Sequence, residues 1–97
     1  MADKSIGVYS STSGEIGHNN EVVLELGNTY ITLTGLTEQN KLHSFELFNC
    51  TSDEAKDIVS LLETVKRSSR IWQSSITKWT ILAIGTLDKR IHHVFKI

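Results

Sequence analysis

The sequence predicts an α+β domain: a mainly antiparallel sheet with one amphipathic helix packed on one face. Three observations carry this. Apolar residues alternate with a period of two over residues 21–49, the period changes to about 3.6 over residues 53–65, and strand-like runs return at residues 79–84 and 90–97. Strands, then a helix, then strands make a three-stranded meander, a helix and two C-terminal strands.

The first twenty residues are rich in Ser, Gly, Asn and Thr, with one strand-like piece, Ile6-Gly-Val-Tyr-Ser10. They read as a flexible arm that either adds a short edge strand or stays loose. Residues 21–97 form the single α+β domain, since 97 residues with 39% hydrophobic content supply one core.

The meander begins with Val22, Leu24 and Leu26 on one face, a turn at Gly27-Asn28, and Ile31 and Leu33 beyond it. A two-residue turn there sets Leu24 opposite Ile31 and Val22 opposite Leu33. A three-residue loop at Glu38-Gln39-Asn40, with Asn40 in the left-handed region, then sets Leu33 against Phe45 and Ile31 against Leu47. Glu25 and Glu46 fall on the polar face with Thr32 and Thr34.

The helix follows. Ala55, Ile58, Val59, Leu62 and Val65 form its apolar stripe, and Thr51 with Glu54 makes a capping box. Asp53 and Glu54 sit at its positive end, and Lys66, Arg67 and Arg70 at its negative end, which places the helix from near Ser52 to near Ser68. Residues 69–78 fit a turn or a short helix. Ile81, Leu82, Ala83 and Ile84 leave no polar side, so this strand is expected to be central and buried on both faces. A turn at residues 86–89 leads to a last, amphipathic strand in which Ile91, His93, Phe95 and Ile97 alternate with Arg90, His92, Val94 and Lys96.

A formal net charge of -1 provides no global field for nucleic acid, which is not expected as a partner. No apolar run approaches the roughly 20 residues of a membrane helix, and no signal-peptide pattern opens the chain; no membrane association and a cytoplasmic location are the expectation. His18, His43, His92 and His93 lack metal-motif spacing, so no metal and no cofactor are expected. Cys50 precedes the helix cap, where it serves better as a small hydrophobe closing a corner than as a nucleophile. No catalytic set emerges, and the chain is not expected to be an enzyme.

The recognition candidates are Trp72 and Trp79, with Ile71 and Ile76 beside them, because tryptophan is enriched at interface hot spots. Sheet edges offer strand addition as well. The expected function is a small interaction or adaptor module that binds a protein partner or associates with itself.

"LELGNTYITLTGL" with the following "NKLHSFEL" resembles the first hairpin and third strand of type III pantothenate kinases. More loosely, residues 22–84 resemble the first subdomain of actin-like ATPase folds. The resemblance implies that Gly27, Asn28 and Thr29 form a phosphate loop, with Glu25 where the family carries a magnesium-holding aspartate. Glu25 departs from the family by one methylene, and the chain lacks the second lobe that closes on nucleotide. The alternative function is therefore a nucleotide-binding fragment or degenerate lobe.

Overall fold

The computed structural model describes residues 3–9 and 18–83. The elements are β1 (Asp3–Tyr9), β2 (His18–Leu26), β3 (Tyr30–Leu36), β4 (Leu42–Asn49), α1 (Ser52–Lys56), α2 (Ile58–Ser68) and β5 (Ser75–Ala83). The five strands form one sheet in the order β1-β4-β3-β2-β5. The chain is thus α+β and the sheet is mixed: β1 with β4, β4 with β3 and β3 with β2 pair antiparallel, as expected for most of it, but β5 runs parallel to β2. A parallel neighbour requires a crossover, and the two helices between β4 and β5 provide it.

The first hairpin turns one residue later than its sequence suggests. Gly27 donates its N–H to the Tyr30 carbonyl at 2.9 Å, so Asn28 and Thr29 form the turn. Leu24 consequently faces Leu33 rather than Ile31, and Val22 faces Gly35 rather than Leu33. The slip moves each pairing by two residues, so no side chain changes face. Tyr30 gives the physical reason: its ring lies over Gly27, where a side chain would collide with it. The aromatic ring fills what the glycine leaves empty.

The second hairpin has the expected loop and an unexpected register. Thr37 donates its N–H to the Lys41 carbonyl at 2.9 Å, closing the loop, and Asn40 adopts φ 59°. Leu36 accordingly pairs with Leu42, but the next pair is Gly35 with Ser44, which leaves His43 as an extra residue in β4. A bulge of this kind shifts register by one and reverses the faces of the strand beyond it. Ser44, Glu46 and Phe48 therefore point into the core, while Phe45 and Leu47, expected there, point away.

The bulge accommodates Asn19. This side chain is fully buried against Gly35 and Ser44, and any side chain at residue 35 would strike both. His43 Nδ1 lies 3.1 Å from Asn19 Oδ1, and Asn19 Nδ2 donates to Ser74 Oγ at 2.8 Å. Gly35 is small because a buried amide takes its place.

The single expected helix is two. The Thr51 capping box forms as predicted, with Glu54 N–H donating to Thr51 Oγ1 at 3.1 Å and Thr51 N–H to Glu54 Oε1 at 2.9 Å. Asp57 then leaves helical geometry at φ -107° and ψ 74° and caps α2 by accepting from the Ser60 N–H at 3.4 Å, with the Ser60 hydroxyl donating to its other oxygen at 3.0 Å. Its short carboxylate competes for backbone partners, as this residue type does in helix interiors. α2 buries Leu61, Leu62 and Val65, and ends at Ser68 with Lys66 and Arg67 in its last turn.

The core lies between α2 and one sheet face: Val22, Leu24, Leu26, Ile31, Leu33 and Phe48 from the sheet, Leu61, Leu62 and Val65 from the helix. β5 adds Trp79 and Ile81, which stand beside Val22 and Leu24. The expected central, doubly buried position of this strand is corrected: β5 is the last strand of the described sheet, and Leu82 is 50% exposed. Its continuous apolar run has one covered side only. The strand-like piece near Ile6 becomes β1, paired with β4 at the opposite edge. The expected turn at residues 86–89 and strand at residues 90–97, with Ile84, His92 and His93, lie outside the described residues.

Candidate functional site: the helix-free face of the sheet

Cross-strand neighbours share a face, so the registers map the side opposite α2 directly. One row runs Leu82, Glu25, Thr32, Leu47, Ile6, and the next runs Thr80, Val23, Thr34, Phe45, Val8. A third contains Lys78, Glu21, Leu36 and Leu42. The β4–β1 side of this face is apolar, and the β2–β3 side carries hydroxyls and carboxylates. Ile6, Val8 and Leu42 are 42%, 56% and 61% exposed. Phe45, Leu47 and Leu36 lie between them, half-buried.

The carboxylates of the polar side are bonded to neutral hydroxyls. Tyr30 Oη donates to Glu25 at 2.7 Å, and Thr80 Oγ1 donates to Glu21 at 2.5 Å. The bond to Glu25 raises the pKa of Tyr30, because an ionised phenolate would face a carboxylate. Neither Glu21 nor Glu25 forms an ion pair among the described residues.

Glu46, expected beside Glu25, is on the other face and fully buried. Its carboxylate accepts from Ser69 Oγ at 2.5 Å, Arg70 N–H at 3.0 Å, Tyr9 Oη at 2.5 Å and Lys4 Nζ at 3.3 Å. The Arg70 guanidinium lies over the Tyr9 ring, 4.2 Å from its centroid. Burial and the hydrogen bond to Glu46 raise the pKa of Tyr9. Burial alone would lower that of Lys4, but its bonds to Tyr9 and Glu46 outweigh burial and raise it. A buried carboxylate so fully satisfied joins β1, β4 and the segment after α2 into one structural knot. The alternation of β4 pointed the other way, and nothing in the sequence marks Glu46 as buried.

The tryptophan segment is placed largely in the core. Ile71 is fully buried and Trp72 is 9% exposed, while Ile76 and Trp79 are partly buried and pack against the same cluster. The indole rings meet at 5.1 Å and 56°. These four residues come together, but around each other and the core.

The residues of the expected phosphate loop are engaged in folding. The Gly27 N–H closes the hairpin, the Thr29 carbonyl accepts from Cys50 N–H at 2.9 Å, and Glu25 holds Tyr30, whose ring covers Gly27. Burial, followed by the Glu54 charge, raises the pKa of the Cys50 thiol, so the thiolate is disfavoured where a nucleophile would need it. His18 contacts Ser75 and Thr77 at 3.3 and 3.0 Å, and His43 contacts Asn19. Among the described residues, no three His, Cys, Asp or Glu side chains gather as a metal site, and no helix is long and apolar enough to cross a membrane.

No family model, no curated protein and no solved structure matches this chain.

Proposed function

We propose that the protein is a small, non-catalytic interaction module whose working surface is the helix-free face of the sheet, at the corner formed by β1 and β4. The carrying observation is the exposure of Ile6, Val8 and Leu42 around half-buried Phe45 and Leu47. Apolar side chains gathered on one exposed face mark interaction surfaces on small domains. The occupant is a protein partner, with self-association as the other form of the same reading. Trp72 and Ile71 support the domain from within, and Trp79 and Ile76 do so in part.

Site-specific photo-crosslinking in the native cell tests this. A crosslinker at residue 8 or 42 should trap a defined protein adduct, whereas one at Lys56, exposed on α1, should not. Equal yields at all three positions, or none at 8 and 42, would remove the face as the working surface.

The nucleotide-binding alternative is the weaker reading, since Glu25 and Tyr30 already satisfy each other and the Gly27 N–H is spent in the hairpin. Titration with ATP and magnesium would reverse that order if amide shifts concentrated at residues 27–29.

A further inference from the structure

We infer that the partner of the helix-free face is a cationic amphipathic segment of another protein, its apolar side over Phe45, Leu47, Ile6 and Val8 and its basic flank over Glu25. This rests on the reading of that face as the working surface. The distribution of charge across the face carries the inference. Leu47 and Glu25 stand in one row with Thr32 between them, two strand spacings or about 10 Å apart. That separation matches the width of a helix laid on a sheet, about 10 Å with its side chains.

Among the described residues, Glu25 is the one charged side chain of this row and has no ion-pair partner. Its neighbours among the described residues are Leu82, Thr32 and the Tyr30 hydroxyl, which donates to it, and none of them is cationic. Glu21 stands on the same face but has the cation Lys78 as its cross-strand neighbour. A basic residue set over Glu25 therefore gains an attraction that a neutral one does not, and an acidic one is repelled. The same carboxylates disfavour an anionic membrane as the occupant, and a second copy would set Glu25 against a surface carrying no surplus of positive charge near it.

The test uses the full chain and three synthetic helical peptides sharing a leucine stripe, with flanking positions made Lys, Gln or Glu. Binding is read by fluorescence anisotropy and by amide shifts. The Lys peptide should bind about fivefold tighter than the Gln peptide, the gain expected of one or two exposed ion pairs. Raising the salt should reduce this preference, and Glu25→Gln should abolish it. Val8→Ser and Leu42→Ser should weaken all three peptides alike. Equal binding of the three peptides overturns the charge inference while leaving the surface standing. Binding untouched by Val8→Ser and Leu42→Ser, or no binding at all, overturns both. Sedimentation of the protein alone should show a monomer; a dimer broken by Val8→Ser would make the occupant a second copy and overturn the cationic partner. Flotation with anionic vesicles that exceeds binding of the Lys peptide would do the same in favour of a membrane.

Discussion

Two glutamates on the strands that flank β3 show how differently the two faces of this sheet are used. Glu46 is buried beneath the end of α2 with four donors around it, and Glu25 is half-buried on the face opposite α2 with a single hydroxyl. The same side chain is a structural fastening in one place and a surface charge in the other. Burial makes the difference: an unpaired charge is costly in the core and cheap in water, so a buried carboxylate needs its full set of partners. The proposed recognition surface is accordingly the face whose polar groups can still exchange partners.

The largest break in this contrast should come from Glu46→Ala, which strands the Ser69, Tyr9 and Lys4 donors in or near the core. A loss of about 3–5 kcal/mol in denaturant unfolding is expected. The corresponding Glu25→Ala should change stability by less than about 0.5 kcal/mol, as surface substitutions do. Equal losses at the two positions would erase the distinction between the faces.

Next in size is Leu62→Ala, expected to cost about 2–5 kcal/mol because Leu62 is fully buried in the helix–sheet core. Tyr9→Phe sharpens the account of the knot itself. It removes one donor to a buried charge and should cost about 1.5–3 kcal/mol. Chemical denaturation of this variant, compared with Glu46→Ala, would report how much of the knot passes through β1.

Alkaline pH should loosen the same knot. The pKa values of Tyr9 and Lys4 are raised in the folded state, from ordinary values of 10.0 and 10.5. Their protonated forms are the stabilised ones, so the contribution is complete below those ordinary values and is lost as pH rises through the higher folded values. Unfolding measured across pH 9–12 should therefore show falling stability, with a shallower fall in Tyr9→Phe. A rise in stability over that range would contradict the arrangement. The smallest effect is expected from Val8→Ser and Leu42→Ser, within about 0.5 kcal/mol of the parent, because both side chains are more than half exposed.

How much of this was legible beforehand varies by element. The α2 stripe, the Thr51 capping box and the Asn40 loop are local patterns, set by residues within a few positions of each other, and they form as read. The β2 and β3 core faces were legible too, because a two-residue slip in the first hairpin preserves them. The β4 face was not. A single extra residue, His43, reversed it, and the residue that the bulge accommodates, Asn19, lies on another strand.

The sequence by itself determined the α+β class, the Thr51 capping box, the order of the elements from β2 to β5 apart from the break at Asp57, and the apolar stripes of β2, β3 and α2. Only the tertiary structure decided that Glu46 is inside and Phe45 and Leu47 outside, that β5 lies parallel to β2 at the end of the described sheet, and that the tryptophans face each other against the core. Periodicity reports what a segment does with its own neighbours along the chain. Register, strand order and the burial of a charge depend on partners distant in sequence, and for those the decisive quantity is which donors and side chains the fold brings within reach.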